Sequence, residues 1–322
     1  MALIGCGARA GPYLTAARHL PGVEIAAVVD PDPDRAARAA LAADVQLQAA
    51  SLDELLDAAA EAFDAVIVTT PASTRASLIE RAAGAGRHVL VEPPLAGTAL
   101  EAERLTAAAL SAGVRLMPAH GDRFRADSRA VRASLDRGEL GRPGLLRIHD
   151  WSPAGEGNGN ASPRALAALD LALWMFDGQP THVFAAVQPR GAVSLAEAEY
   201  LQVHLGFEGG GMALIDVTRA LPAGDGYRSL ALIGSLGAAH ADDHHNAQLL
   251  YGGGRAQAVL TEADESVPPL VLSEFATAVG GGREPAVRGD DGAAVLRVAE
   301  AAASSWAAGA AFRLSGGRYE LA

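Results

Sequence analysis

From Met1 to about Ala119, short apolar runs alternate with stretches of helical periodicity. Ala2 to Gly5, Val23 to Asp30, Ala65 to Thr70, His88 to Glu92 and Val114 to Pro118 are the predicted strands. Short β-branched runs separated by helical stretches predict a parallel sheet with crossover helices, the doubly wound pattern. Asp32-Pro33 marks a helix start, because Asp can cap and Pro sits in the first turn without losing a needed donor. Beyond Asp122 the runs lengthen and alternate: Leu145 to Trp151, His182 to Gln188, Tyr200 to Phe207, Met212 to Thr218 and Ser229 to Ile233. With few helices between them, these predict a largely antiparallel sheet. Two helices, about Pro163 to Phe176 and about Asp290 to Ala308, are expected on one face of it, the second opening on paired aspartates favoured at a helix N-terminus. The segment Ala154 to Ser162, AGEGNGNAS, reads as the most flexible loop. The expected architecture is α/β, with an N-terminal doubly wound domain over 1–121 and a C-terminal α+β domain over 122–322 built on a large, open, mostly antiparallel sheet.

Length supports two domains, since 322 residues exceed the usual single-domain range. Half the residues are hydrophobic but only 5% are aromatic, so small aliphatic side chains in closely packed helices must build the cores. Charge narrows the partners. With 38 acidic against 26 basic residues the formal charge is -12, which repels phosphate backbones and anionic lipid, so neither nucleic acid nor membrane is an expected partner. Every basic residue is arginine; there is no lysine. Cys6 is the one cysteine and cannot form an internal disulfide, so the cytoplasm is the expected compartment. No charge-free apolar window reaches the roughly 18 residues of a membrane span. The first strand begins at the first residues, which leaves room for a native start upstream of Met1.

The stretch IGCGARAG places Gly5 and Gly7 directly after the first strand, with Ala8 and Arg9 leading to Ala10, where a dinucleotide fingerprint allows Gly or Ala. Gly5 permits a tight turn, Gly7 lets backbone amides approach a pyrophosphate, and the following helix offers its N-terminal dipole. The second strand, VEIAAVVD, ends in Asp30, roughly 20 residues downstream, where a carboxylate would bond the ribose hydroxyls and repel a 2'-phosphate. NAD is therefore expected over NADP. Cys6 reads as a small packing residue.

These residues resemble the glucose-fructose oxidoreductase and inositol dehydrogenase (Gfo/Idh/MocA) family. GCGAR, VVDPDPDRA, VIVTTPASTRASLIERAAGAGRHVLVEPPLA, GVRLMPAHGDRF, GELGRP and the closing EFATAVGGGREPAVRGDDGAAVLRVAEAAASSWAAG follow its order. The resemblance implies a Rossmann domain, an open-sheet substrate and oligomerisation domain, an NAD or NADP site, and hydride transfer on a sugar, polyol or similar hydroxylated small molecule. By motif match Gly5, Gly7, Asp30, Thr70, Pro71 and Glu92 would line the cofactor. The catalytic part of the pattern is missing. Pro93 stands where the family carries the lysine of Glu-Lys-Pro, Pro163 and Ala167 stand where its Asp and His precede Asp170, and Arg75 takes the place of a common histidine.

Any proton must then be handled by other groups. The candidates are His120, at the carboxyl edge of the sheet; His149 and Asp150, adjacent on a strand and so facing opposite ways; and Asp170. The cluster Ala241 to Asn246, ADDHHN, lacks metal-ligand spacing and reads as a polar turn or interface edge, so no metal is expected. The uncovered sheet face predicts a homodimer or homotetramer. The rival reading is a catalytically lapsed NAD- or sugar-binding regulatory protein.

Overall fold

The computed structural model describes residues 1–153, 162–188, 198–242, 247–252, 255–260 and 267–322. Contacts divide the chain into two compact units, Met1–Gly121 with Ser266–Leu296, and Asp122–Glu265 with Arg297–Ala322.

The first unit carries a six-stranded parallel sheet in the order β3-β2-β1-β4-β5-β6, formed by β1 (Ala2–Ile4), β2 (Ala27–Val29), β3 (Leu47–Ala49), β4 (Ala65–Val68), β5 (His88–Val91) and β6 (Leu116–Pro118). The central strands are buried from end to end because helices cover both faces, which is why their sequences run apolar without alternation. Helix α1 (Ala10–Ala17) follows β1. Asp32 caps α2 (Pro33–Ala43) through the Asp34 and Arg35 amides, with Pro33 in the first turn. Ser51 and Thr98 cap α3 (Leu52–Ala59) and α5 (Ala99–Ser111), and α4 (Ala72–Gly84) starts directly after Pro71.

Strand β3 escapes sequence reading because three residues, two of them exposed, carry no period. The second expected strand is also shorter than Val23 to Asp30. Ser266–Leu296 falls with the first unit rather than with the rest of 122–322 because α8 (Val267–Gly280) packs on α1. The start of α9 (Gly289–Ala308) belongs there too, where Gly292 lies so close to Pro118 and Leu95 that a Cβ would clash.

The second unit holds a ten-stranded sheet, β14-β13-β12-β11-β7-β10-β9-β8-β15-β16. Its strands are β7 (Pro143–Pro153), β8 (His182–Gln188), β9 (Tyr200–Gly206), β10 (Met212–Leu221), β11 (Tyr227–Gly234), β12 (Gly237–Asp242), β13 (Ala247–Gly252), β14 (Arg255–Leu260), β15 (Phe312–Ser315) and β16 (Arg318–Leu321). All neighbours pair antiparallel except β7 with β10. β8 and β9 alternate buried and exposed residue by residue, so one face is covered and the other is open. Helices α6 (Ala126–Asp136) and α7 (Ser162–Phe176) cover the buried face together with the end of α9, whose Ser305 hydroxyl accepts the Ala185 amide.

Residues 154–161 of the expected loop and 243–246 of the ADDHHN cluster lie outside the described residues; Ala241 and Asp242 end β12 rather than forming a turn. Among the described residues no helix is long and apolar enough to cross a membrane.

Candidate functional site

At the carboxyl edge of the parallel sheet, strand order reverses between β1 and β4, the crevice position at which open α/β sheets take ligands. The loop after β1 is shaped by its own residues. Gly5 has φ +94°, and a Cβ there would sit 2.8 Å from Thr70 Cγ2, so the backbone itself demands glycine. Gly7 differs: a Cβ would meet no protein atom within 4 Å. Its lack of a side chain leaves open room above the loop beside the start of α1, a cradle that a pyrophosphate fits. Ala8 and Arg9 continue this loop.

Asp30 is buried directly after β2. Its Oδ2 accepts the Cys6 amide at 2.7 Å and its Oδ1 the Asp32 amide at 2.9 Å. The carboxylate thus pins the glycine loop, and each oxygen keeps lone-pair capacity for a ribose hydroxyl. Burial, reinforced by Asp30, pushes the Cys6 thiol up to about 11, which leaves it unreactive at neutral pH.

The Thr70 hydroxyl is buried with no hydrogen-bond partner among the described residues, a second sign of a polar ligand at this edge. Pro71 caps α4 beside it. Glu92, after β5, accepts the Tyr13 hydroxyl at 2.6 Å and lies 3.4 Å from Arg9 Nη1. Burial, then the Glu92 charge, lifts the Tyr13 phenol well above its ordinary range. Arg75 ties two loop tips together by donating Nε–H to the Thr70 carbonyl at 2.9 Å and Nη1–H to the Pro94 carbonyl at 2.8 Å. The Pro93-Pro94 peptide is cis. His120 follows β6 and is buried, 3% exposed.

The second unit collects the other candidates. Asp170 on α7 is fully buried at 0% exposure and accepts two bonds from Arg123, Nη2–H at 2.6 Å and Nε–H at 2.8 Å. Arg123 and Arg132 both lie over the Trp174 ring, and Arg132 also donates to the Trp174 carbonyl. Asp170 is therefore committed to a buried bidentate pair. Strand β7 is regular at His149 and Asp150, which face opposite sides. His149 is on the open face, 3.6 Å from Asp216 and edge-on to Trp151 at 5.3 Å. Asp150 is buried on the covered face.

Around Asp150 the chain builds a cavity of about 380 Å³ lined by Arg125, Asp150, Trp151, Arg164, Tyr227 and Arg228, among others. Arg164, in the first turn of α7, pairs with Asp150. Arg228, opposite Asp150 in the β7–β11 register, donates to Asp127 at 2.6 Å and lies 3.3 Å from Asp122. Burial opposes the Arg228 charge, but Asp122, Asp127 and Asp150 outweigh it and raise its pKa. Burial raises the Asp150 carboxyl, with Arg164 pulling the other way and Asp122 adding to the rise. Arg164, Arg228 and Asp127 carry no signal in the linear sequence, because only strand pairing and the α7 register bring them to Asp150. Among the described residues no group of carboxylates, histidines and cysteine could hold a metal ion.

The loop also predicts a test. Gly7→Ala should leave the melting temperature within about 2 °C while lowering NAD affinity tenfold or more, because the new methyl group meets only the ligand's space. Gly5→Ala should lower stability as well, through strain at φ +94° and the Thr70 contact. Thermal melts and calorimetric titration of both variants check the contrast.

Residues 1–120 match the model of the GFO_IDH_MocA oxidoreductase family, NAD-binding Rossmann fold. An uncharacterized oxidoreductase, YrbE, of Bacillus subtilis (strain 168) is 27% identical over 227 residues, 65% of this chain and 66% of that protein, just under two thirds of its length. An oxidoreductase from Agrobacterium radiobacter, crystallised with NAD+, L-tartaric acid and magnesium, superposes with a TM-score of 0.85 at 20% identity, covering 97% of each chain. A putative myo-inositol dehydrogenase from Sinorhizobium meliloti 1021 does so at 0.81 and 24%, covering 98% of this chain and 99% of its own. The two structural likenesses establish a shared fold. The glycine cradle and the buried Asp30 lie in the segment that matches the family model, so residues 1–120 are similar to the NAD-binding Rossmann fold of the GFO_IDH_MocA oxidoreductase family.

Proposed function

We propose that the protein is an NAD-dependent oxidoreductase of hydroxylated small molecules in which Asp150 handles the proton. The observation that carries this reading is a buried carboxyl with a raised pKa on the wall of a cavity whose lining includes Arg125, Arg164 and Arg228. Gly5, Gly7, Ala8, Arg9, Asp30, Thr70, Pro71 and Glu92 would hold the cofactor. Bound NAD would supply a hydride acceptor for the carbinol carbon, or as NADH a donor to the corresponding carbonyl carbon. In the oxidative direction the substrate O–H proton passes to an Asp150 oxygen while the O–H electron pair forms the carbonyl and the hydride leaves carbon. Burial raises the acid's proton affinity above that of a surface aspartate, the direction in which a carboxylate becomes a stronger base.

His120 remains the second proton carrier to test, since it stands at the sheet edge of the first unit. NADH formation measured across a panel of polyols, sugars and sugar acids, with Asp150→Asn and His120→Ala compared, decides between them. Binding of NAD without turnover on the whole panel would replace this reading with a lapsed, regulatory nucleotide-binding role, which the prolines and alanine at positions 93, 163 and 167 favour.

A homodimer or homotetramer formed on the open sheet face belongs to the same proposal. Phe184, Tyr200, Met212 and Ile233 stand exposed on that face, each at 38% or more, an apolar surface that association would bury. Light scattering should return a mass of at least two 32.8 kDa chains; a single-chain mass at micromolar concentration would count against it.

A further inference from the structure

Three arginines face three aspartates around the cavity of the second unit, and they are not held alike. Arg228 is a fixed wall: its side chain is 12% exposed and two carboxylates, Asp127 and Asp122, grip it. Arg125 leans on Asp127 at 3.5 Å and is also largely enclosed. Arg164 is different. Its side chain is 42% exposed, and among the described residues Asp150 is its one carboxylate partner. Arg164 is the partly exposed member of the pair, so it can exchange one carboxylate for another at little cost to itself, whereas the buried Asp150 then holds a proton more strongly. A guanidinium also grips an incoming carboxylate through two parallel N–H bonds, a geometry a water shell does not match.

We propose that the cavity is an acid-binding subsite, in which Arg164 leaves Asp150 to hold the carboxylate of a hydroxy-acid substrate and so releases Asp150 to work on the substrate's hydroxyl. The second half rests on the role given to Asp150 under the proposed function; the first half does not. No covalent bond changes in the exchange, since one ion pair replaces another. Size agrees, because about 380 Å³ lies at the small end of the roughly 300–1,000 Å³ of small-ligand sites.

Charge explains the coupling. Arg125, Arg164 and Arg228 balance Asp122, Asp127 and Asp150, so an added carboxylate leaves the cluster one negative charge in excess. Asp150 then loses the cation that held its proton affinity down and gains a nearby anion, and both changes make it a stronger base. Asp225 also lines the cavity and disfavours an anion, but it is exposed, where water screens it.

The test compares acids with their neutral counterparts: L-tartrate against L-threitol and D-gluconate against sorbitol, titrated calorimetrically into the full chain with saturating NAD at fixed ionic strength. At least one acid should bind tenfold or more tighter than its polyol. Arg164→Gln should lose tenfold or more of that acid affinity with polyol binding unchanged and the melting temperature preserved. Asp150→Asn should bind the acid more tightly than the wild type, because Arg164 no longer has a competing carboxylate; a purely structural role for the pair would not produce that gain. Equal affinity for acid and polyol in both pairs, no acid binding at all, or undiminished acid binding in Arg164→Gln overturns the proposal. NADH formation read on the same samples separates the two readings. Acid binding without NADH leaves the subsite standing and removes the redox role, whereas NADH from the polyols alone does the reverse.

Discussion

Asp170→Ala should destabilise the second unit by about 3–5 kcal/mol, the usual cost of removing one partner from a buried ion pair. Asp170 is wholly enclosed and Arg123 is 7% exposed, so the variant removes the carboxylate that faces a buried guanidinium. Two hydrogen bonds at 2.6 and 2.8 Å are lost together. Denaturant unfolding, followed by tryptophan emission because Trp174 lies against Arg123, would report the change directly. The double variant Arg123→Met, Asp170→Leu should recover most of the loss, since a well-packed apolar pair often matches a buried ionic one. If Asp170→Ala instead kept wild-type stability and lost only turnover, Asp170 would be a chemical group rather than a strut, and the assignment made from its burial would fall.

Asp150→Asn should lower the oxidation rate by about 10²- to 10⁴-fold, the usual contribution of a general base, with NAD affinity unchanged. The amide keeps the shape and cannot take a proton. The pH dependence follows from the sign of the shift. A base works in its ionised form, and burial raises the Asp150 pKa, so activity should fall with acidification at a higher pH than an ordinary aspartate would produce. Replacing Arg164 by Gln removes the larger of the two arginine charges that oppose the rise, so the acid limb should move further up. His149→Ala, one residue away on the other face of β7, is the control, and a comparable rate loss there would argue against the cavity as the site of chemistry.

Much of the architecture was legible in the linear chain because burial on two faces and burial on one face write different patterns. Val66, Ile67 and Val68 in β4 or Val89, Leu90 and Val91 in β5 are apolar without a break, and β8 and β9 alternate, so the change from parallel to antiparallel sheet near Asp122 could be read directly. The glycine loop was equally readable, since the positive φ at Gly5 admits little else, while Gly7 leaves open space beside the loop. Local chemistry was enough there. Short or irregular elements were not: β3, β12 to β16, α6 and α8 owe their place to neighbours far along the chain, and α8 joins the first unit only through its packing on α1. The candidate proton-handling residues show the same limit. His120 led by its place at the sheet edge, with His149, Asp150 and Asp170 behind it, and the sequence did not give the environments in which the four stand. A buried guanidinium 47 residues away in sequence commits Asp170 to structure, the regular pleat turns His149 to the open face, and the pairing of β7 with β11 sets Arg228 opposite Asp150. Sequence alone determined which backbone conformations and which faces are apolar, because those depend on residues a few positions apart; which charges meet depends on strand register and helix placement, and only the tertiary structure decided it.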